Sequence, residues 1–385
     1  RKWYVERPED FVLYQQNPYF AFPDISKENV RDFIEEAFRM FIQDWGFEGI
    51  KLDFWSYFFE DEQVMIPAAG ITGYEYRRWF LDMLRRLLPE DGYLQTGCDI
   101  AMSNIHLGEE VDNYRYGIDI GGGNWDFVKT NFLWGAACFA LHTCDLFVPN
   151  SDSIGLFPGL NDVDAMFALN YCIATRSMVE IAGKLSENQN HPRLPFLKKA
   201  AANVNNGQEL WLLDYDYRKP GINIPKGVYF KSGFFTCEEE NPNMPLRNVG
   251  LFNTFEKKLK VTFNAAKLGL DSKKAYTVID VWTHEEFELA AGKSLSYTLE
   301  AHGSMMLAVC EKDLVLQDAN VKVNTVSKDG KTLSVDCAYA YPEAGFLFSA
   351  KVKSVKFNGK AVKASVKGGV CKMELKEAGV YTFSF

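Results

Sequence analysis

The stretch GIKLDFW, residues 49–55, decides the predicted fold. Its apolar and charged residues alternate as in a strand, which sends Lys51 and Asp53 to the same side. Residues 26–46 before it carry apolar side chains at the spacing of one helical face, and the pattern repeats after it at 76–87. The sequence therefore predicts a helix, a strand and a second helix in succession.

Strands and helices keep alternating as far as residue 203. Further strands are predicted at 93–98, 114–119, 145–149 and 178–182, and further helices near 125–142, 162–177 and 193–203. Strands joined through helices run parallel, and a parallel sheet needs cover on both faces, so the predicted class is α/β. The alternation alone fits a closed barrel and an open sheet equally.

Polar residues lie at the predicted ends of these strands: Lys51 and Asp53, Cys98 and Asp99, Arg115 and Asp119, Asn150 and Asp152, and Glu180. Because the active site of a (β/α)8 barrel lies at the carboxyl ends of its strands, this placement favours a TIM barrel. Five strands do not close an eight-stranded barrel. We therefore predict about strands 4–8, with the missing N-terminal barrel portion expected upstream or as a companion chain.

Short alternating strands replace the helical pattern after about residue 205 and predict antiparallel sheets. Within them, Asp329-Gly330 and Asn358-Gly359 are dipeptides typical of tight hairpin turns. The predicted domains are the C-terminal portion of a TIM-barrel catalytic domain at 1–204, an antiparallel β domain at 205–312 and a small β-sandwich domain at 313–385.

Composition narrows the possible partners. The chain has 385 residues, is 47% hydrophobic and carries a formal net charge of −9. An acidic chain does not suit a phosphate backbone, and no apolar run reaches membrane-spanning length, so neither nucleic acid nor a membrane is predicted as a partner. The 8 cysteines form no CxxC pair and the 5 histidines are far apart, so we predict buried free thiols, no metal and no cofactor.

Two carboxylates are the candidates for chemistry. Asp53 shares a strand face with Lys51, whose charge keeps the carboxylate ionised and suited to nucleophilic attack; a buried structural salt bridge is the alternative. Asp119 lies four residues after Arg115 and is suited to donate a proton. The alternative is that it caps the helix that begins near Trp125. Two such carboxylates, without a nucleotide motif, are the groups that glycoside hydrolysis requires.

Several segments resemble the α-galactosidase clan of glycoside hydrolases, families 27 and 36. GFEGIKLDF (46–54) is similar to the strand whose KxD motif carries the nucleophile, and GCDIAMSNIHLGEEVDNYRYGIDIGGGNW (97–125) to the stretch whose RxxxD motif carries the acid/base. LNDVDAMFALNYCIATRSMVEIAGKL (160–185) resembles an NDPD-type turn and its helix, with NDVD where the family more often has NDPD. VIDVWT and LEAHGSMMLAV resemble the C-terminal β domain of the clan.

The resemblance implies a role for each matching residue. Asp53 would be the nucleophile and Asp119 the acid/base. The substrate-binding residues would be Lys51, Arg115, Cys98, Trp55 and Trp125. Asp162 and Asp164 match the NDPD-type turn and would support the barrel mouth.

The sequence thus predicts a retaining glycoside hydrolase that resembles α-galactosidases and cleaves α-glycosidic bonds by double displacement. Its partner would be an oligosaccharide or glycoside substrate. Two alternatives stay open: a galactosyltransferase resembling the raffinose synthases, and a non-catalytic carbohydrate-binding barrel protein.

Overall fold

The computed structural model of the chain describes residues 5–13, 21–53, 73–97, 110–120, 123–137, 147–152, 159–175, 177–181, 183–203, 210–212, 227–230 and 241–385. The chain divides into two compact units, Arg1–Gly117 and Ile118–Phe385. This division falls inside the predicted barrel portion. The predicted domain limits at 204 and 312 stay a prediction.

A parallel sheet packed against helices forms the first unit. Its elements are β1 (Phe11–Leu13), β2 (Ala21–Pro23), α1 (Glu28–Arg39), β3 (Gly49–Lys51), α2 (Gly73–Leu87), β4 (Tyr93–Gly97) and β5 (Asn113–Arg115). Strand β3 pairs in parallel with β4, and β4 with β5. Val30 of α1, Leu84 of α2 and Leu94 of β4 are buried in one core. The predicted helix–strand–helix order and the parallel pairing are confirmed.

Helix α1 is amphipathic, as its apolar spacing predicts. Val30 is fully buried, whereas Arg39 on the solvent side pairs with Glu35 at 3.1 Å. The helix continues into a π-helical turn, Met40–Asp44. Gly46 then has a φ of +73°, the left-handed conformation that commonly ends a helix and that glycine adopts without strain.

The second unit begins with further α/β elements: α3 (Trp125–Ala137), β6 (Val148–Asn150), α4 (Asp162–Ala174) and α5 (Leu194–Asn203). The prediction of a strand at 178–182 is wrong for the part of it that is described, because residues 177–181 belong to no strand. Met178 N donates to Pro149 O at 2.8 Å. A short apolar run fits a buried irregular segment as well as a strand. No helix in the described ranges is long and apolar enough to span a bilayer.

Antiparallel strands follow in two sheets. They are β7 (Leu210–Leu212), β8 (Gly227–Phe230), β9 (Arg247–Phe252), β10 (Leu259–Asn264), β11 (Tyr276–Asp280), β12 (Glu286–Leu289), β13 (Ser294–Leu299) and β14 (Ser304–Glu311). One sheet has the order β12-β11-β14-β9-β8-β7, and β10 pairs with β13. His302 takes a φ of +57° in the turn between β13 and β14.

The last part of the chain is a β sandwich. Its strands are β15 (Leu316–Ala319), β16 (Val323–Asp329), β17 (Thr332–Cys337), β18 (Tyr341–Phe348), β19 (Ser354–Phe357), β20 (Lys360–Ala361), β21 (Ala364–Lys367), β22 (Val370–Leu375) and β23 (Gly379–Ser384). They form sheets of order β15-β18-β22-β21 and β16-β17-β23-β19-β20. Both predicted hairpins are present, but only one turn lies at its predicted position. Asn358-Gly359 joins β19 to β20, whereas Gly330-Lys331 joins β16 to β17, because Asp329 belongs to β16 and pairs with Thr332.

Within the second unit, the helices pack directly on the sheet. The rings of Phe132, Phe167 and Phe252 lie 5.1–5.2 Å apart, centroid to centroid, and join α3, α4 and β9. Asn170 Nδ2 of α4 also donates to Ser304 Oγ of β14 at 2.9 Å. The α/β elements of this unit and its β sheet therefore share one core.

The described cysteines are free and buried: Cys172, Cys310, Cys337 and Cys371. The predicted buried thiols are confirmed for these four. Burial raises the pKa of Cys172 and of Cys337 to about 12, well above the ordinary value of 9.0. A raised pKa favours the neutral thiol in the folded chain.

We expect the chain to lose stability in alkali. A thiol whose pKa is raised on folding contributes stability that is fully present below pH 9 and is lost as the pH rises towards 12. Each such thiol lowers the free energy of unfolding by about 1.4 kcal/mol per pH unit above 9. Urea titrations at pH 8, 9 and 10 measure this slope. Cys172→Ala should make it shallower, and an unchanged slope would contradict the assignment.

Candidate active site

The end of β3 presents one lysine and one carboxylate to solvent. Leu52 is 7% exposed, whereas its neighbours Lys51 and Asp53 are both exposed. Leu52 N donates to Gln95 O at 2.8 Å, which extends the pairing with β4 to the residue just before Asp53. Burial of Leu52 therefore fixes the side on which the two charged groups lie.

Strands β4 and β5 approach each other closely at their ends. Gly97 has a φ of +145°, and a Cβ atom there would lie 2.3 Å from the Cβ atom of Arg115. Only glycine fits this position without a shift of the backbone. Arg115 itself is buried, and its Nε donates to Gly117 O at 3.3 Å. The glycine thus allows the guanidinium-bearing residue to lie directly against the end of β4.

Two arginines of α2 hold the segment before β5. Arg85 Nη2 lies 2.6 Å from Asp112 Oδ2, and the same oxygen accepts from Leu94 N at 2.7 Å. Arg78 Nη2 pairs with the buried Glu110 Oε1 at 2.7 Å. Helix α2 therefore anchors both β4 and the chain that enters β5, which fixes the position of Arg115.

The backbone on both sides of Asp119 is held by buried side chains of the second unit. Asn131 Oδ1 accepts from Ile118 N at 2.8 Å, and Asn131 Nδ2 donates to Ile118 O at 2.9 Å. Asp152 Oδ2 accepts from Ile120 N at 2.6 Å. Asn131 and Asp152 are 1% and 5% exposed, whereas Asp119 is exposed. An accessible carboxylate thus lies on a backbone segment fixed at both ends.

Asp152 is itself held in an unusual conformation. Its φ is +73°, and its N–H donates to Asn150 Oδ1 at 2.8 Å. Asn150 Nδ2 donates to Glu180 Oε2 at 3.1 Å. These hydrogen bonds satisfy polar groups at the end of β6 and explain how a non-glycine residue keeps a positive φ.

Trp125 packs within the second unit. Its ring stacks on His302 with centroids 3.8 Å apart and meets Phe167 edge-on at 5.0 Å. One face of the indole is therefore covered by the imidazole. The predicted sugar contact of Trp125 stays a prediction and would have to use the other face or the ring edge.

The NDVD segment makes structural contacts at the start of α4, and its support of the barrel mouth stays a prediction. Asn161 caps α4 by accepting from Asp164 N at 2.9 Å. Asp164 is buried, and its Oδ1 lies 2.9 Å from His302 Nδ1 in the β13–β14 turn. Asp162 is exposed and pairs with Arg193 at 2.8 Å. These contacts tie the start of α4 to its surroundings in the second unit.

Two predicted site residues, Trp55 and Cys98, lie outside the described ranges. Asp53, Lys51 and Arg115 belong to the first unit and Asp119 to the second. A retaining mechanism requires the two carboxyl groups to face each other across one sugar-sized gap, and this placement is a prediction.

Sequence reasoning missed the supporting role of Asn131 and Asp152. Asn131 lies within the apolar pattern of α3, between the buried Val128 and Phe132. A polar residue within the buried face of a helix indicates that its side chain forms hydrogen bonds to a neighbouring backbone segment. Asp152 follows the end of β6. The sequence does not indicate that its carboxylate accepts a hydrogen bond from Ile120 N, which is seen only in the folded chain.

Residues 246–309 match the family model described as the alpha galactosidase C-terminal beta sandwich domain. No curated protein matches the sequence. Among solved structures, the chain is similar to a GH27 β-L-arabinopyranosidase from Geobacillus stearothermophilus, with a TM-score of 0.58, 17% identity, and coverage of 79% of this chain and 68% of that one.

A variant of the same arabinopyranosidase, in complex with arabinose, gives a TM-score of 0.56 at 17% identity over 76% of this chain and 65% of that one. An isomalto-dextranase from Arthrobacter globiformis T6, complexed with panose, gives 0.54 at 14% identity over 99% of this chain and 76% of that one. The chain thus spans about two thirds of the length of the Geobacillus structures.

The similarity to these structures shows a shared fold. The fold is a portion of a TIM barrel followed by antiparallel β-sandwich domains, so the predicted fold class is confirmed. The family-model match together with this fold confirms the predicted resemblance to the α-galactosidase clan of glycoside hydrolases.

The support of Asp119 by Asn131 leads to a prediction. In Asn131→Asp, a carboxylate oxygen would replace the amide group that donates to Ile118 O and Ser151 O. We expect a loss of about 1–3 kcal/mol in unfolding free energy, because buried carbonyls lose their donor. Denaturant unfolding measures it. Asn124→Asp is the matched control: this exposed residue accepts from Asp126 N at 2.8 Å, and aspartate caps a helix equally well. Equal stability of the two variants would contradict the role of Asn131.

Proposed function

We propose that the chain carries the catalytic carboxylates of a retaining glycoside hydrolase that cleaves α-glycosidic bonds, most similar to α-galactosidases. Asp53 is the nucleophile and Asp119 the acid/base. The observation that carries the proposal is the placement of two exposed carboxylates just beyond the ends of parallel strands, Asp53 after β3 and Asp119 after β5. The carboxyl ends of strands are where TIM barrels carry out their chemistry.

The first half-reaction forms a glycosyl ester. An Asp53 oxygen bonds to the anomeric carbon while the bond from that carbon to the leaving oxygen breaks, and Asp119 gives its proton to the leaving oxygen. In the second half-reaction Asp119 takes a proton from water, whose oxygen bonds to the anomeric carbon and releases Asp53. Two inversions give net retention of the α configuration.

The neighbouring residues fit these roles. Lys51 and Asp53 lie on the side of β3 opposite the buried Leu52, where an ammonium can bind sugar hydroxyls. The anchoring of Ile118 and Ile120 fixes the backbone that carries Asp119, as proton transfer within hydrogen-bond reach requires.

The stereochemical course of hydrolysis tests the proposal. The complete protein is given nitrophenyl α-galactoside, β-L-arabinopyranoside and α-glucoside, and proton NMR records which anomer appears first. The first two substrates share a ring configuration and differ in one hydroxymethyl group. We expect hydrolysis of the α-galactoside, of the β-L-arabinopyranoside or of both, with retention of the anomeric configuration.

Inversion would contradict double displacement, and binding of all three without cleavage would favour the carbohydrate-binding alternative. Transfer to added sugar in preference to water would favour the galactosyltransferase alternative.

A further inference from the structure

Charge is unevenly divided along the chain. Residues 313–385, which contain every strand of the terminal β sandwich, hold 11 of the 42 Lys and Arg residues but only 7 of the 51 Asp and Glu residues. Their net charge is therefore +4, whereas the rest of the chain carries −13, which together give the total of −9. A basic sandwich in an acidic protein points to an anionic partner for this part of the chain alone.

Eight of these lysines are grouped within residues 351–376, where the only acidic residue is Glu374. All eight are exposed, and none forms an ion pair with a residue that the structure describes. Like charges without counter-charges repel one another, so a bound anion would lower the free energy of this group. We call the group the lysine rim; its members are Lys351, Lys353, Lys356, Lys360, Lys363, Lys367, Lys372 and Lys376.

The lysine rim follows one edge of the sandwich. Strands β20 and β21 are the outer strands of the two sheets at this edge, and they follow each other along the chain. Lysines on outer strands commonly prevent unwanted pairing with another strand. However, Lys356 and Lys372 lie on β19 and β22, one strand further in. Protection of the edge therefore does not account for the whole rim.

A groove opens at the same edge. Its volume is about 570 Å³, within the range of known ligand sites. Phe357 and Tyr381 supply its apolar lining, with their rings stacked at a centroid distance of 4.5 Å. The charged groups of the lining are three ammonium groups and two carboxylates, from Lys360, Lys363, Lys376, Glu374 and Glu377. The groove thus combines positive charge, hydrogen-bond acceptors and an apolar surface.

This lining favours an acidic polysaccharide over other anionic chains. Sugar hydroxyls can donate to Glu374 and Glu377, whereas the phosphodiesters of a nucleic acid have no hydrogen to donate. Single-stranded nucleic acids also need exposed rings for base stacking, and the only ring within 351–376 is Phe357, one face of which Tyr381 covers. A protein partner is disfavoured because lysine is depleted at protein interfaces. Separate ammonium groups suit carboxylates that occur singly along a sugar chain.

We propose that the lysine rim binds an acidic polysaccharide, a linear chain of sugars that carry carboxylates. The carboxylates of the polymer pair with the ammonium groups of the rim, and one stretch of the polymer lies in the groove against Phe357. The site holds the polymer without cleaving it. The proposal goes beyond the hydrolase function and does not depend on it, because no residue of the rim takes part in the proposed catalysis.

The test is isothermal titration of the complete protein in the Asp53→Asn background, with polygalacturonate as the probe. Its methyl ester, the same chain without the charges, is the matched control ligand. We expect saturable binding of polygalacturonate that weakens as the salt concentration is raised from about 50 to 200 mM, and much weaker binding of the ester.

The combined variant Lys360→Gln, Lys363→Gln and Lys376→Gln should bind polygalacturonate about tenfold more weakly, the expected effect of losing three exposed ion pairs. The matched control variant replaces three exposed lysines outside the rim, which form no ion pair with a described residue, and should bind as tightly as the unaltered rim. Its substitutions are Lys257→Gln, Lys260→Gln and Lys267→Gln.

Equal affinity for polygalacturonate and its ester would overturn the proposal, and so would equal losses in the two triple variants. Tighter binding of oligodeoxythymidylate or of phosphatidylserine vesicles at the same salt concentration would also overturn it. With the rim unaltered, bound polymer should protect the rim lysines from acetylation, as mapped by mass spectrometry, so the test stands even where a triple variant does not fold. These measurements report binding and not hydrolysis, so failure of the rim and failure of the proposed catalysis are distinguishable.

Discussion

Replacing Asp53 by asparagine is expected to lower kcat on an activated α-glycoside by about 10⁴-fold. This loss is at least as large as that usually caused by removal of a catalytic acid or base. The amide has nearly the shape of the carboxylate, and Leu52 beside it stays buried, so the fold is retained. What is lost is the anionic oxygen that bonds to the anomeric carbon. Steady-state kinetics with a nitrophenyl glycoside measure the loss.

Asp44→Asn is the matched control, because Asp44 is exposed on the π-helical turn of the same unit. It should retain full activity and the same melting temperature. Turnover by Asp53→Asn within a few-fold of the unaltered protein would refute the nucleophile assignment.

Replacing Asp119 by alanine is expected to affect substrates according to their leaving group. A poor leaving group such as a sugar alkoxide needs the proton, so its hydrolysis should fall by about 10²–10⁴-fold. A nitrophenolate leaves without a proton, so formation of the glycosyl ester should slow much less. The values of kcat/KM on melibiose and on the nitrophenyl glycoside, which report formation of the glycosyl ester, measure the difference.

Asp126→Ala serves as the control for Asp119→Ala, since Asp126 is an exposed carboxylate in the first turn of α3. It should leave both rates unchanged. Equal losses on the two substrates in Asp119→Ala would argue that Asp119 is not the proton donor.

Local patterns of the sequence predicted much of the fold. The apolar spacing before Gly46 predicts α1 because a helix that buries one face requires it. Asn358-Gly359 predicts a hairpin because both residues must take a positive φ, and they do, at 50° and 76°. Each of these features depends on residues close together in the chain.

The parts that escaped prediction depend on distant residues. Residues 178–182 have the composition of a strand, yet the described residues 177–181 belong to no strand, and Met178 N donates to Pro149 O. The stacking of Trp125 on His302 joins residues from α3 and a β turn, and no local spacing reveals it. The support of Asp119 by Asn131 and Asp152 likewise arises only when the chain is folded.

The central claim is that Asp53 forms a covalent bond to the sugar. The most direct measurement is peptide mapping by mass spectrometry after the complete protein has reacted with a fluorinated α-galactosyl fluoride, whose glycosyl ester hydrolyses slowly. The account predicts a single glycosyl adduct on the peptide that contains Asp53, and none in Asp53→Asn. An adduct on a different carboxylate, with Asp53 unmodified, would contradict it.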